Sequence, residues 1–252
     1  MCPICRELKI PTTYWCSTDC PGNPGAWKRH AVTHKEVRRL RKRTEDGGVA
    51  LQQQREVAER YARHAAQSGD EYGELRAEGM RYGSKQDWRR AARANREAIV
   101  MRPDRPEAYF GLGAALANSG HHVEAAQRYL EARERWPVGS EMWARATARA
   151  FSMLVREECD EVATPEWWND EGLKALSARV VRAAPDDETA HQMRAIVLRG
   201  WCGAWEAGPR SVAELKMAAA HFDRAAALQP APAVKAALAE AAAECRSQAD
   251  AM

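Results

Sequence analysis

From about residue 51 to residue 247 apolar residues recur every three to four positions, the spacing of helices that bury one face. No long run alternates apolar and polar residues, and β-branched residues are thinly spread, so little or no sheet is expected beyond the N-terminal segment. The stretch PEAYFGLGAALANSGHHVEAAQRYLEARERWP, 106–137, predicts two helices with a turn at His121-His122 and a stop at Pro137.

The same marks return at a fixed interval. Tyr109, Gly113, Leu116, Ala125, Tyr129, Ala132 and Pro137 fall 34 residues after Leu75, Gly79, Tyr82, Ala91, Asn95, Ala98 and Pro103. A further shift forward begins again at Trp143 and Ala150. Small residues at Gly79, Gly113, Ala91 and Ala125 suit positions where antiparallel helices cross closely. A third unit starts at EMWARATARAF and is interrupted by EECDEVATPEWWND, 157–170, which reads as an inserted loop. Helicity resumes at GLKALSARVVRAAP. A fourth unit has a helix over 188–199, a Gly/Trp/Pro loop (GWCGAWEAGP), a second helix ending before Pro230, and a capping helix over 232–247.

A 34-residue unit with these marks resembles the tetratricopeptide (TPR) repeat. The expected fold is therefore all-α: a TPR-like α-solenoid of about four helix-pair repeats plus a capping helix over 51–252. A small zinc finger would precede it at 1–35, joined by a basic linker at 36–50. A generic helical bundle is the alternative. The resemblance implies a groove lined by the first helix of each pair. Its positions would be Arg76, Met80 and Ser84, then Glu107, Phe110, Ala114 and Asn118, then Glu141, Ala144, Ala148 and Phe151 with Arg145 beside them. Simple packing between repeats is the competing role for Phe110 and Phe151. A peptide is the expected occupant. The acidic tail of heat-shock chaperones is disfavoured, because Met80 and Gly111 stand where that use needs asparagine.

The first 34 residues carry three pairs of zinc donors: Cys2/Cys5, Cys16/Cys20 and His30/His34. So few apolar residues accompany them that a bound metal would have to supply the folding energy. The wording CPICRELKIPTTYWCSTDCPGNPGAWKRHAVTHK is similar to the zinc finger of eukaryotic type 1 methionine aminopeptidases and to the broader MYND-type finger. Shared marks are CPxC, Trp15 before CSxxC, Trp27 before the first histidine, and HxxxH. The aminopeptidase finger has four donor pairs and two zinc ions; here the first pair is missing. The resemblance implies one Zn2+ held by Cys2, Cys5, His30 and His34, with a four-cysteine site (Cys2, Cys5, Cys16, Cys20) as the alternative. It also implies docking to proteins or the ribosome. No aminopeptidase catalytic domain follows.

Charge is concentrated. Between Lys28 and Arg43 eight Lys or Arg stand against the single Glu36, while the whole chain carries only +3. The run Lys35–Arg43 (KEVRRLRKR) reads as a solvated helix face, a nuclear-localisation signal or a contact for nucleic acid or ribosome. It lacks interleaved aromatics for base stacking. Of seven cysteines four lie within the first twenty residues, a metal-binding distribution that fits a reducing compartment. No apolar run is long enough to span a bilayer and the opening CPIC is not a signal peptide, so a cytoplasmic location is expected, with the nucleus as alternative.

No nucleophile elbow, HExxH or phosphate-binding glycine loop occurs, and Gly111-Leu112-Gly113 falls inside a helix. Histidines 64, 191 and 221 read as isolated. Tryptophans 167, 168, 201 and 205 fall in the two loops, as plugs over apolar edges or as a contact patch. The expected function is a non-catalytic adaptor or scaffold. The alternatives are a ribosome- or nucleic-acid-associated regulator, and a relative of MYND-type protein methyltransferases, for which no catalytic domain is left in the sequence.

Overall fold

In a computed structural model the described residues are 52, 55–60, 62, 63, 66, 69–160, 162, 164–202 and 205–252. All belong to the unit Val49–Met252. The three zinc-donor pairs and the run Lys35–Arg43 lie outside them.

The unit is built from helices joined in pairs. We number them α1 Glu71–Ser84, α2 Trp88–Met101, α3 Pro106–Asn118, α4 His122–Arg135, α5 Glu141–Leu154, α6 Asp170–Ala183, α7 Glu188–Arg199, α8 Val212–Leu228 and α9 Pro232–Asp250. Each helix packs on the next in the chain. In addition α1 touches α3 and α5 touches α7, while α3 and α5 share core clusters with α4 between them. That arrangement is an all-helical, solenoid-like stack in which α9 packs on α8.

Helix starts follow from capping side chains. Asp87, Ser140, Asn169 and Asp187 each accept a hydrogen bond from the backbone N–H three residues on. Ser211 and Glu214 cap each other's backbone at the start of α8. Pro106 and Pro232 occupy first-turn positions, where the missing N–H costs nothing.

The close crossings predicted from small residues are present. A Cβ on Gly79 would lie 2.7 Å from Asn95 Nδ2, and one on Gly113 would lie 3.0 Å from the Tyr129 ring. These are the same contact, first helix against second helix, in consecutive repeats. Asn95, 2% exposed, donates to the Ala91 carbonyl and accepts from Arg76, so the buried amide is satisfied. Gly111 roofs that pair, since a side chain there would collide with Arg76 and Asn95.

Two departures from strict repetition matter. A 3₁₀ turn, Glu157–Cys159, occupies the place where the second helix of the third pair would begin, and α6 starts only at Asp170. Trp167 and Trp168, in the intervening segment, pack against both the α2–α5 core and the α5–α9 core, tying the two together. Between α7 and α8 a small antiparallel hairpin pairs β1 (Trp201–Cys202) with β2 (Trp205–Glu206). No described helix is long and apolar enough to cross a membrane.

Candidate functional site

The first helices α1, α3 and α5 carry the residues expected to line a groove, and the environments of six of them differ. Arg76 and Met80 are half-buried one turn apart on α1. The Arg76 guanidinium is directed at Asn95 on α2. Asn118 is exposed at the end of α3, its amide donating to the Ala114 carbonyl at 2.8 Å. Arg145 on α5 pairs with Asp187 at 3.2 Å. Because Asp187 also caps α7, that ion pair stitches the third repeat to the fourth.

The two phenylalanines are packing residues in this structure. Phe110 is half-buried, with its ring edge-on to Tyr129 (5.3 Å) and Trp136 (5.6 Å). Phe151 is 0% exposed, which differs from a surface-facing groove position. The physical reason is the two inserted segments: Trp168 stacks at 5.5 Å and Trp205 at 6.2 Å from its ring, covering it.

A cavity of about 650 Å³ opens between α5 and α7. Met153, Val155 and Ile196 supply apolar wall, and Ser152 and Gln192 supply polar wall. Charged groups border it with mixed sign: Arg149 and Arg156 against Glu157 and Glu158. Glu158 also approaches His122 on α4 at 3.6 Å, and its carboxyl is lowered first by a backbone hydrogen bond and further by that imidazole.

Two clusters escape the sequence reading, which takes His191 and His221 as isolated. His191 on α7 and His221 on α8 are paired, Nδ1 to Nδ1, at 2.9 Å. The Pro185 carbonyl, 2.9 Å from His191 Nε2, can only accept, so that nitrogen carries the proton. His191 Nδ1 is then the acceptor and His221 Nδ1–H the donor. Burial, with help from His191 and Arg194, holds the His221 imidazole at about 4, well below its usual value. The pairing spans 30 residues, and the hairpin between α7 and α8 hides it from any fixed period.

The second cluster joins α6, α7 and α8. Arg210, 8% exposed, makes a fork-to-fork bond with Asp170 (3.0 and 2.6 Å) and donates to the Val197 carbonyl. Lys174 bridges Asp170 at 3.0 Å and Glu214 at 2.6 Å. The Arg210 hydrogen bond lowers Asp170 to about 2, and the Lys174 hydrogen bond does the same for Glu214.

Cys159, Cys202 and Cys245 are free thiols whose pKa values are pushed up by burial, the opposite of an activated nucleophile. Among the described residues no three or more His, Cys, Asp or Glu converge as a metal site. Compared with known proteins, the chain matches no family model and no curated protein.

Proposed function

We propose that this chain is a non-catalytic adaptor: a TPR-like stack that holds a protein segment along its first-helix layer, with an N-terminal MYND-like zinc finger as a second docking element. The observation that supports this reading most is the layer itself. First helices contact one another directly at two junctions, α1 with α3 and α5 with α7, and at the second they leave an open cavity of mixed polar and apolar lining. Extended peptides are held by surfaces of that kind, apolar wall for a side chain and polar groups for its backbone.

The test is selection of binders from a displayed peptide library against residues 51–252. The selected peptides are then titrated against Gln192→Arg, which fills the cavity mouth, and Val100→Arg on the exposed outer side of α2. Loss of binding with the first substitution and retention with the second is the expected result. Peptides indifferent to Gln192→Arg would sink the reading. For the finger, one Zn2+ per chain is expected, held by Cys2, Cys5, His30 and His34. Metal analysis checks this: Cys2→Ser releases zinc in either arrangement, whereas Cys16→Ser releases it only from a four-cysteine site.

A further inference from the structure

The second helices of neighbouring pairs are joined by ion pairs at two of their three junctions. Arg96 on α2 meets Glu124 on α4 at 3.1 Å, and Lys174 on α6 meets Glu214 on α8 at 2.6 Å. The junction between α4 and α6 is different, because it brings two cations together. Arg133 on α4 has its guanidinium carbon 5.7 Å from the centre of the Trp143 ring and 5.3 Å from that of Trp167. Arg179 on α6 lies 5.3 Å from the same Trp143 ring. Trp143 is 1% exposed, so the two guanidiniums lie over an indole that is otherwise sealed in the core.

Neither arginine has a carboxylate partner among the described residues. Arg133 Nε is buried and makes no hydrogen bond. Glu134, the next residue along α4, acts on Arg133 only at longer range, while Arg179 repels its charge. Burial and that repulsion both disfavour the cation, yet guanidinium does not give up its proton in a protein. A half-buried arginine with an unused donor, beside a second cation, is a costly arrangement unless an anion completes it.

We propose that Arg133 and Arg179, framed by Trp143 and Trp167, form a binding site for a phosphate dianion where α4 and α6 meet. The charge argument selects phosphate over carboxylate. Two guanidiniums without a carboxylate in direct contact match a group carrying about −1.5 to −2 near neutral pH, whereas a single carboxylate brings only one charge to the pair. Its oxygens can also accept from more than one planar donor fork at once. The indoles shield one side of the site from water, which strengthens each contact made there. The phosphate can be free or carried on a phosphorylated side chain.

The experiment titrates inorganic phosphate into the full chain at constant ionic strength with chloride as reference, reading tryptophan fluorescence and the thermal midpoint. Phosphate is expected to change the emission and raise the midpoint beyond the chloride control. Arg179→Gln, at an exposed position that leaves the fold intact, is expected to weaken the response at least about tenfold, the loss of one charge-assisted contact. Arg133→Gln is expected to abolish it. A phosphoserine peptide binding much more tightly than free phosphate, with its unphosphorylated twin inert, identifies a protein-borne phosphate; equal affinity identifies the free ion. No phosphate-specific response, or an undiminished one in Arg179→Gln, overturns the proposal.

Discussion

Gly200 and Arg210 show how single positions set the architecture around them. Gly200 ends α7 with φ of 91°, where a β-carbon is unfavourable, and a Cβ there would lie 2.5 Å from Arg210 Nε. Arg210 in turn holds Asp170 at the start of α6. Gly200→Ala is therefore expected to cost about 2–3 kcal/mol in urea unfolding, combining left-handed strain with displacement of a buried side chain. Gly120→Ala is the control: its φ is 84° with nothing within 4 Å of the added atom, so only the strain of about 1 kcal/mol remains. Equal losses would mean that Arg210 yields without cost. The same cluster predicts acid sensitivity. Asp170 and Glu214 have folded values near 2, below their unfolded values of 3.8 and 4.5. The unfolded chain binds protons first, so this stabilisation is complete above about pH 4.5 and lost as pH falls toward 2.

Between elements, the paired histidines add a second pH dependence in a different window. His221 has a folded value near 4 against 6.5 unfolded, so the unfolded chain again takes up the proton first. Its contribution is present above pH 6.5 and disappears by about pH 4. Urea midpoints measured across that range should rise with pH in the native chain and flatten in His221→Gln; an unchanged slope would assign the titration elsewhere. A periodic reading could not find this contact, because the hairpin lengthens the α7–α8 connection. The strands Trp201–Cys202 and Trp205–Glu206 are also too short for alternation to announce them. The boundaries of α7 and the interruption read over 157–170 were legible, since caps, prolines and loss of the apolar period mark them, although Glu157–Cys159 form a 3₁₀ turn and Asp170 already opens α6. The target of the loop tryptophans was not, because burial of Phe151 depends on segments far from it in sequence. Trp168→Ala is expected to cost about 2–3 kcal/mol for uncovering Phe151. Trp201→Ala should stay within about 1 kcal/mol, because Trp201 is 46% exposed and packs chiefly under Arg199.

At the scale of the whole stack, stability should be distributed along the array and not concentrated in one centre. Each helix contacts its chain neighbours and, at most, the next helix of its own layer, so the stack resembles a one-dimensional series of interfaces. The far end is closed by α9, which buries Leu238, Ala242, Cys245 and Ala249. Its partner α8 buries Phe222 and Ala225. Removing α9 exposes that apolar face without touching α1–α4. A chain ending at Gln229 should therefore lose amide protection first in α7 and α8, while α1–α4 remain protected, as hydrogen exchange would read directly. Its unfolding should also cease to be a single transition, because the weakened end melts before the rest. Uniform loss of protection across all helices would instead mean a single cooperative core. The adaptor reading would then lose the modular layer on which it rests, since a surface assembled repeat by repeat keeps its remaining sites when one end is cut away.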